Sequence, residues 1–260
     1  MSSTAATTEL AQDKIPTLRI EHPWRALWLQ LGGIGLAFLA LVIWLNNADL
    51  TDTERMTLAP GVLWGYTVEH IWLTVVAALI VLIIAMPLGI LLTRPSMRRF
   101  TGPVMAVANV GQAAPAIGLI VILAFWLGFG FWAAIGSLVA YAILPVLTNT
   151  MVGLNQVDER LVEAGRGMGM TSWAVLFKVE LPLAVPVMLS GIRTALVLLV
   201  GTATLAVFIN GGGLGILITT GVNLSLTTVL IFGSLLVALL ALLIDWIGRA
   251  IEQLARPKGL

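Results

Sequence analysis

Residues 158–182 read DERLVEAGRGMGMTSWAVLFKVELP, the only long polar stretch between apolar runs in a chain of 260 residues. Upstream, the 58 residues between Arg99 and Asp158 carry no charge; downstream, neither do the 51 between Arg193 and Asp245. A bilayer core of about 30 Å needs roughly 20 apolar residues in helix. Each gap therefore holds two spans and a short turn. Residues 71–92 form another uncharged run, and 26–45 a fourth, interrupted only by Gln30. Six helices are predicted, over 27–45, 69–93, 101–127, 131–153, 183–208 and 226–248, so the fold class is an all-α membrane protein. Composition agrees: 59% of residues are hydrophobic and 10% charged, with a mean hydropathy of +1.01, against about 25% charged in a soluble domain. A soluble enzyme, a disordered chain and a nucleic-acid binder are excluded. The net charge of +1 offers no bulk attraction to a polyanion.

Glycine and proline place the turns. Leu127-Gly128-Phe129-Gly130 divides the first gap, and the Gly-rich run from Asn210 to Gly215, too costly in backbone entropy to be helix, divides the second. Pro115, in Gln112-Ala113-Ala114-Pro115, is expected to kink or break the third span, and Pro87 to bend the second. Residues 1–25 are polar and mixed in charge, without the apolar stretch of a cleavable signal.

Lys and Arg counts in alternate loops set the orientation. Twelve fall on one side: Lys14, Arg19, Arg25, Arg94, Arg98, Arg99, Arg160, Arg166, Lys178, Arg249, Arg256 and Lys258. The other side has Arg55 alone, among Asp49, Asp52, Glu54 and Glu69. Both termini and 158–182 are expected in the cytoplasm. Eight of the nine tryptophans lie near predicted span ends (Trp24, Trp28, Trp44, Trp64, Trp72, Trp126, Trp132 and Trp246), as an interfacial belt would.

Catalytic signals are missing. There is no cysteine, and His22 and His70 are too few and too far apart for a metal cluster, so no metal site is expected. No lysine lies in a phosphate-cradling loop, so the chain is not its own ATPase. No acid or histidine sits mid-span, where a proton-coupled carrier needs one. Arg193 and Asp245 fall near helix ends, where snorkelling or a salt link is expected.

In 158–182 itself, Asp158 can cap a short helix, Gly165, Gly167 and Gly169 can break it, and Thr171 or Ser172 can cap a second. The second would expose Trp173, Leu176, Phe177 and Val179, and Pro182 would close it and start the fifth span. Two short helices at a right angle would make a docking knob; a long loop on the membrane surface is the alternative.

The segment resembles the cytoplasmic signature of permease subunits of bacterial ATP-binding-cassette importers: Glu-Ala-Ala, three residues, Gly, nine residues, Ile, one residue, Leu-Pro. Glu163, Ala164, Gly169, Leu181 and Pro182 match at that spacing, while Gly165 stands for the second Ala and Val179 for Ile. The resemblance implies a type I importer-like permease core in which 158–182 is the coupling loop, seated in a groove of a separate ATPase. Residues 109–116, Asn-Val-Gly-Gln-Ala-Ala-Pro-Ala, and 208–215, Phe-Ile-Asn-Gly-Gly-Gly-Leu-Gly, resemble segments of permeases for quaternary-ammonium osmoprotectants such as glycine betaine, choline and carnitine. Methionine permeases share parts of both. In the resembled family the aromatic substrate cage belongs to a separate extracytoplasmic binding protein.

Polar side chains within or between spans are the pore candidates: Asn109, Gln112, Thr148, Asn149, Thr194 and Thr202, with Pro115 at the break and Asn210 before the Gly-rich run. Unpaired amides in lipid would cost several kcal/mol, so they should face water or protein; hydrogen bonding between helices is the alternative.

The expected organisation is a cytoplasmic tail over 1–26, an extra first helix and external loop over 27–65, a permease core over 66–250 and a cytoplasmic tail over 251–260. The resemblance implies a multi-pass subunit of the bacterial inner membrane without covalent chemistry or a cofactor of its own, ATP and Mg being bound by the partner ATPase. Its other expected partners are a second permease subunit, the same or related, the binding protein and the lipid bilayer, with no nucleic acid. The transported solute would be an osmoprotectant; methionine or another small solute is the alternative. A secondary carrier or channel lacks its mid-membrane groups here, and the amide- and Gly-containing spans speak against a non-transporting scaffold.

Overall fold

The structure, a computed structural model, describes residues 23–255. Every regular element among them is helical: α1 Pro23–Asn47, α2 Asp52–Thr57, α3 Pro60–Leu92, α4 Thr101–Ala113, α5 Ala116–Leu127, α6 Phe131–Asn155, α7 Glu159–Gly167, α8 Ser172–Val175, α9 Leu181–Ala203, α10 Gly215–Asn223 and α11 Thr227–Ala255. Five helical segments are long and apolar enough to cross a membrane singly. The α4–α5 pair is a sixth, bent by 106°.

That pair crosses rather than returning to the end where it began. The C-terminal parts of α3 and α6 lie together, because a Cβ on Gly89 would stand 2.8 Å from Thr150 Cβ. The start of α6 lies at the other end of the bundle, since Ala134 Cβ would stand 2.9 Å from a Cβ on Gly211, and Gly213 of the same loop abuts His70, in the N-terminal half of α3. Leu127, the last residue of α5, reaches Gly136 in that same part of α6. The chain therefore enters α4 at one end and leaves α5 at the other. The cause of the bend is local. Pro115 has no N–H to donate and pushes Ala114 out of the helical region, to ψ 143. Pro87, Pro145 and Pro186 instead lie inside continuous helices, so the expected bend at Pro87 does not divide α3.

Three other expectations are revised. The second span begins at Pro60 rather than 69, because proline at the first turn costs no hydrogen bond. Gly215 is not loop; it opens α10, where it presses so closely on the Thr204 carbonyl that a Cβ would overlap it. The short α2 was not expected. It is set by a capping box: the Thr51 hydroxyl accepts from Glu54 N–H, and Glu54 Oε2 accepts from Thr51 N–H. The expected N-terminal tail lies outside the described residues up to position 22, and 23–26 already belong to α1; α11 runs on to Ala255.

α6 is the centre of the bundle, packed by α3, α9, α4 and α5. Its core face alternates small and branched residues, Ala134, Leu138, Ala142, Val146 and Leu147, all buried. α11 packs on α9 and α10 and carries α1 on its outer side. Trp246 Nε1 donates to Leu27 O at 2.8 Å, and Gln30 Nε2 to Asp245 Oδ2 at 3.3 Å. Trp246 thus ties α1 to α11 instead of serving only as a belt residue. Arg193 and Asp245 form a salt link at 3.7 Å, with Glu252 3.4 Å from Arg193.

Small residues allow the closest helix approach. A Cβ on Gly191 of α9 would lie 2.7 Å from Pro145 O and overlap Asn149 Cβ, whereas Gly32 of α1 has open space. Gly191→Val is expected to destabilise the bundle by about 1–3 kcal/mol and to lower its thermal midpoint in detergent. Gly32→Ala should leave it unchanged or raise it slightly.

Candidate functional site

The segment 158–182 folds as a compact knob. Asp158 caps α7, its side chain accepting from Arg160 N–H at 2.9 Å. The helix stops at a Schellman motif: Gly169 N–H donates to Arg166 O at 2.9 Å and Met170 N–H to Gly165 O at 3.1 Å. Gly169 sits at φ +80, a conformation in which other L-residues meet a Cβ clash. Thr171, not Ser172, then caps α8, accepting from Ala174 N–H.

From α8 the structure departs from expectation. Pro182 does not close a separate helix. α8 runs through a π-helical turn, Leu176–Glu180, directly into α9. Leu181 N–H reaches back five residues to Leu176 O. Proline cannot donate at position 182, and its ring would crowd the carbonyl four residues earlier; one wide turn relieves that conflict without breaking the helix. The exposed face also differs. Trp173 and Phe177 are exposed and stacked, centroids 6.0 Å apart, and Leu161 of α7 and Met168 at its end are exposed as well. Leu176 and Val175 are buried and Val179 half-buried, so the expected exposure of Leu176 and Val179 is incorrect. Val175 and Val179 turn in beneath Gly165 of α7, and Leu176 joins a buried cluster with Leu154 of α6 and Ala184 and Met188 of α9.

Of the signature residues, Glu163 and Ala164 are exposed on α7, Gly165 is buried, Leu181 is half-buried and Pro182 exposed. A Cβ on Gly165 would find Val175 Cγ2 at 3.4 Å and Met170 Sδ at 3.5 Å, ordinary contacts, so alanine fits there. The knob is fastened to α3 by a pair the sequence reading missed. Arg94, just past α3, donates with Nη1 to Glu180 Oε1 at 3.2 Å and with Nη2 to Oε2. Glu180 is largely buried, and a fork-to-fork guanidinium–carboxylate pair fixes orientation as well as distance.

The pore candidates are distributed over several elements. Asn109, Gln112 and Pro115 flank the α4–α5 break; Thr148 and Asn149 lie in α6, Thr194 and Thr202 in α9, and Asn210 in the loop after it. Their polar groups mostly turn back on their own helices, not across to neighbours. Asn109 donates to Met105 O, Asn149 to Pro145 O, Thr194 to Ser190 O and Thr202 to Leu198 O, at 2.7–2.9 Å.

At the end of the bundle away from the knob, Glu69 and His70 pin the Gly-rich loop. Glu69 Oε2 accepts from Gly213 N–H at 3.1 Å, and His70 Nδ1 accepts from Leu214 N–H at 3.3 Å. The ring proton therefore sits on Nε2, which donates to Val200 O at 3.0 Å. His70 is fully buried. Asn210 adopts the left-handed conformation, φ 59, and Gly212 and Gly213 have φ +82 and +91. These contacts join residues more than 120 positions apart, and no local pattern announces them.

The two glycines of the knob should respond oppositely. Gly165→Ala is expected to stabilise α7 by about 0.5–1 kcal/mol through lower unfolded-chain entropy. Gly169→Val should cost on the order of 1–3 kcal/mol through backbone strain. Amide hydrogen exchange over 159–175 reads both: slower in the first variant, faster in the second.

Comparison with known proteins gives one consistent family. Residues 85–257 match the model of the binding-protein-dependent transport system inner membrane component. A glycine betaine/carnitine/choline transport system permease protein of Bacillus subtilis is 40% identical over 200 residues, covering 77% of this chain and 91% of that protein. An osmoprotectant import permease protein of Salmonella typhimurium is 38% identical, covering 77% and 94%. Among solved structures, an inward-facing methionine ATP-binding-cassette transporter aligns with a TM-score of 0.68 at 25% identity, over 80% of this chain and all of that one. The chain belongs to the family of binding-protein-dependent transport system inner membrane components and has the fold of an importer permease.

Proposed function

We propose that this chain is the membrane-spanning permease of an ATP-driven importer for a small quaternary-ammonium osmoprotectant, the class comprising glycine betaine, choline and carnitine. Residues 158–182 are its coupling loop. The observation that carries this reading is the unbroken helical path from α8 through the π turn into α9. Force applied to the Trp173–Phe177 face enters a helix at the heart of the bundle without a hinge. The Arg94–Glu180 pair adds α3 to the same body.

The exposed aromatic face supports a protein partner, because it sits in the charged loop segment between the spans of α6 and α9, where large apolar side chains require cover. That partner is a pair of ATPase subunits, which bind ATP and Mg; this chain performs no covalent chemistry. A second permease chain, the same or related, completes the pore, and a binding protein delivers solute from outside. Closure of the ATPases draws the knobs together and turns the pore outward; hydrolysis resets it. Both termini and the knob face the cytoplasm, by the Lys/Arg asymmetry of the loops. The osmoprotectant class is favoured over methionine because relatives at 37–40% identity are named for osmoprotectants.

Two outcomes test this. The chain has no cysteine, so Ser172→Cys reports sidedness directly. In intact cells it should resist an impermeant thiol reagent and react only after permeabilisation; labelling from outside contradicts the orientation. Gly169→Val should leave the bundle folded yet reduce ATPase recovery on co-purification and abolish osmoprotectant uptake. Unchanged recovery and uptake would remove the knob from the coupling role.

A further inference from the structure

Near the Glu69–Gly213 contact a cleft of about 400 Å³ opens at the end of the bundle away from the knob. Its walls include Tyr66, Glu69 and Trp72 of α3, Phe131 at the start of α6 and Asn210 of the Gly-rich loop. Three aromatic rings and a single carboxylate share one concavity, within the size range of small-molecule sites.

The cleft is held in shape from behind. Glu69 is fixed by the Gly213 amide, His70 clamps Leu214 and α9, and Gly211 packs against Ala134 and Ala206. Withdrawal of Glu69 would leave the Gly213 N–H without its acceptor. Phe131 is braced edge-on by Trp132, centroids 5.3 Å apart.

We infer that this cleft binds a quaternary ammonium group, held by the rings of Tyr66, Trp72 and Phe131 with Glu69 as counter-charge. Such a cation has no N–H to donate and is recognised by ring faces and nearby negative charge. A metal ion would need several oxygen or nitrogen ligands, and the described residues contain no cluster of three or more His, Asp or Glu able to hold one. Asn210 also lines the cleft, and its amide would serve a hydroxyl or carboxylate on the same solute. The inference rests on the osmoprotectant reading and deepens it: the permease itself receives the cation released by the binding protein.

A free solute and a choline lipid headgroup share this chemistry. The test therefore uses the full chain in nanodiscs of phosphatidylethanolamine and phosphatidylglycerol. Radiolabelled choline is the probe, with 3,3-dimethylbutan-1-ol, its uncharged carbon isostere, as competitor. Choline should bind about tenfold more tightly than the isostere, and Glu69→Gln and Trp72→Leu should each weaken choline by about tenfold. Glu69→Gln retains an oxygen for the Gly213 amide, so the loop stays in place, and its affinity for the isostere should not change. Phe131→Leu is a second ring variant, read the same way. Equal affinity for choline and the isostere, no saturable choline binding, or unchanged binding by all three variants overturns the site. Adding phosphatidylcholine to the discs separates the sources: unchanged choline affinity assigns the cleft to free solute, and competition assigns it to the headgroup. Uptake by the complex with ATPase and binding protein separates this inference from the transport reading. Normal choline import by all three variants discards the cleft alone, whereas no import of any quaternary ammonium by the unaltered complex discards the substrate class.

Discussion

A backbone N–H or C=O in lipid has no water to turn to, and each unpaired group costs several kcal/mol. Six spans of helix satisfy nearly all of them, so the places where helix fails reveal what else the chain must do. There are three. At Ala114-Pro115 the helix breaks through 106°. Between Leu176 and Glu180 it widens to a π turn instead of breaking. From Asn210 to Leu214 it gives way to a loop in which the Gly213 and Leu214 amides are taken up by Glu69 and His70 of a distant helix.

The π turn matters most for mechanism. A proline inside a helix normally kinks or divides it. Here one wide turn ahead of Pro182 absorbs the conflict and keeps the knob in line with α9. The Arg94–Glu180 pair then fixes the knob against α3. α3 and α9 in turn both pack on α6. The knob is therefore part of the bundle's framework, and a displacement at its surface has little freedom to dissipate locally.

Much of this was legible in the sequence because it is local or periodic. Uncharged runs gave the spans, Asp158 the first cap, Thr171 or Ser172 the second, Gly169 the sharp turn, and Pro115 the break. The signature spacing acquires a physical cause: its glycine is the C′ residue of a Schellman motif, and its first small residues belong to the helix that the motif ends. What was not legible depends on partners far along the chain. Glu69 looked like one acid of an external loop and His70 like an isolated histidine; only the fold sets them against residues 200, 213 and 214. Glu180 lies inside the signature, but its partner Arg94 was counted simply as a loop charge. Leu176 was assigned outward as part of a separate short helix, but that helix continues into α9 and Leu176 joins a buried cluster with Leu154, Ala184 and Met188. The pore candidates were chosen for polarity, yet several bond to their own helices, so polarity in a span does not by itself point to a pore.

The central claim is that the knob docks on an ATPase and moves with it. The most direct measurement is cross-linking from Met168→Cys, an exposed position at the end of α7, carrying a photoreactive group in the assembled complex. The account predicts a permease–ATPase adduct whose yield changes between the nucleotide-free and ATP-bound states. An adduct with lipid alone, or a yield indifferent to nucleotide, would contradict it.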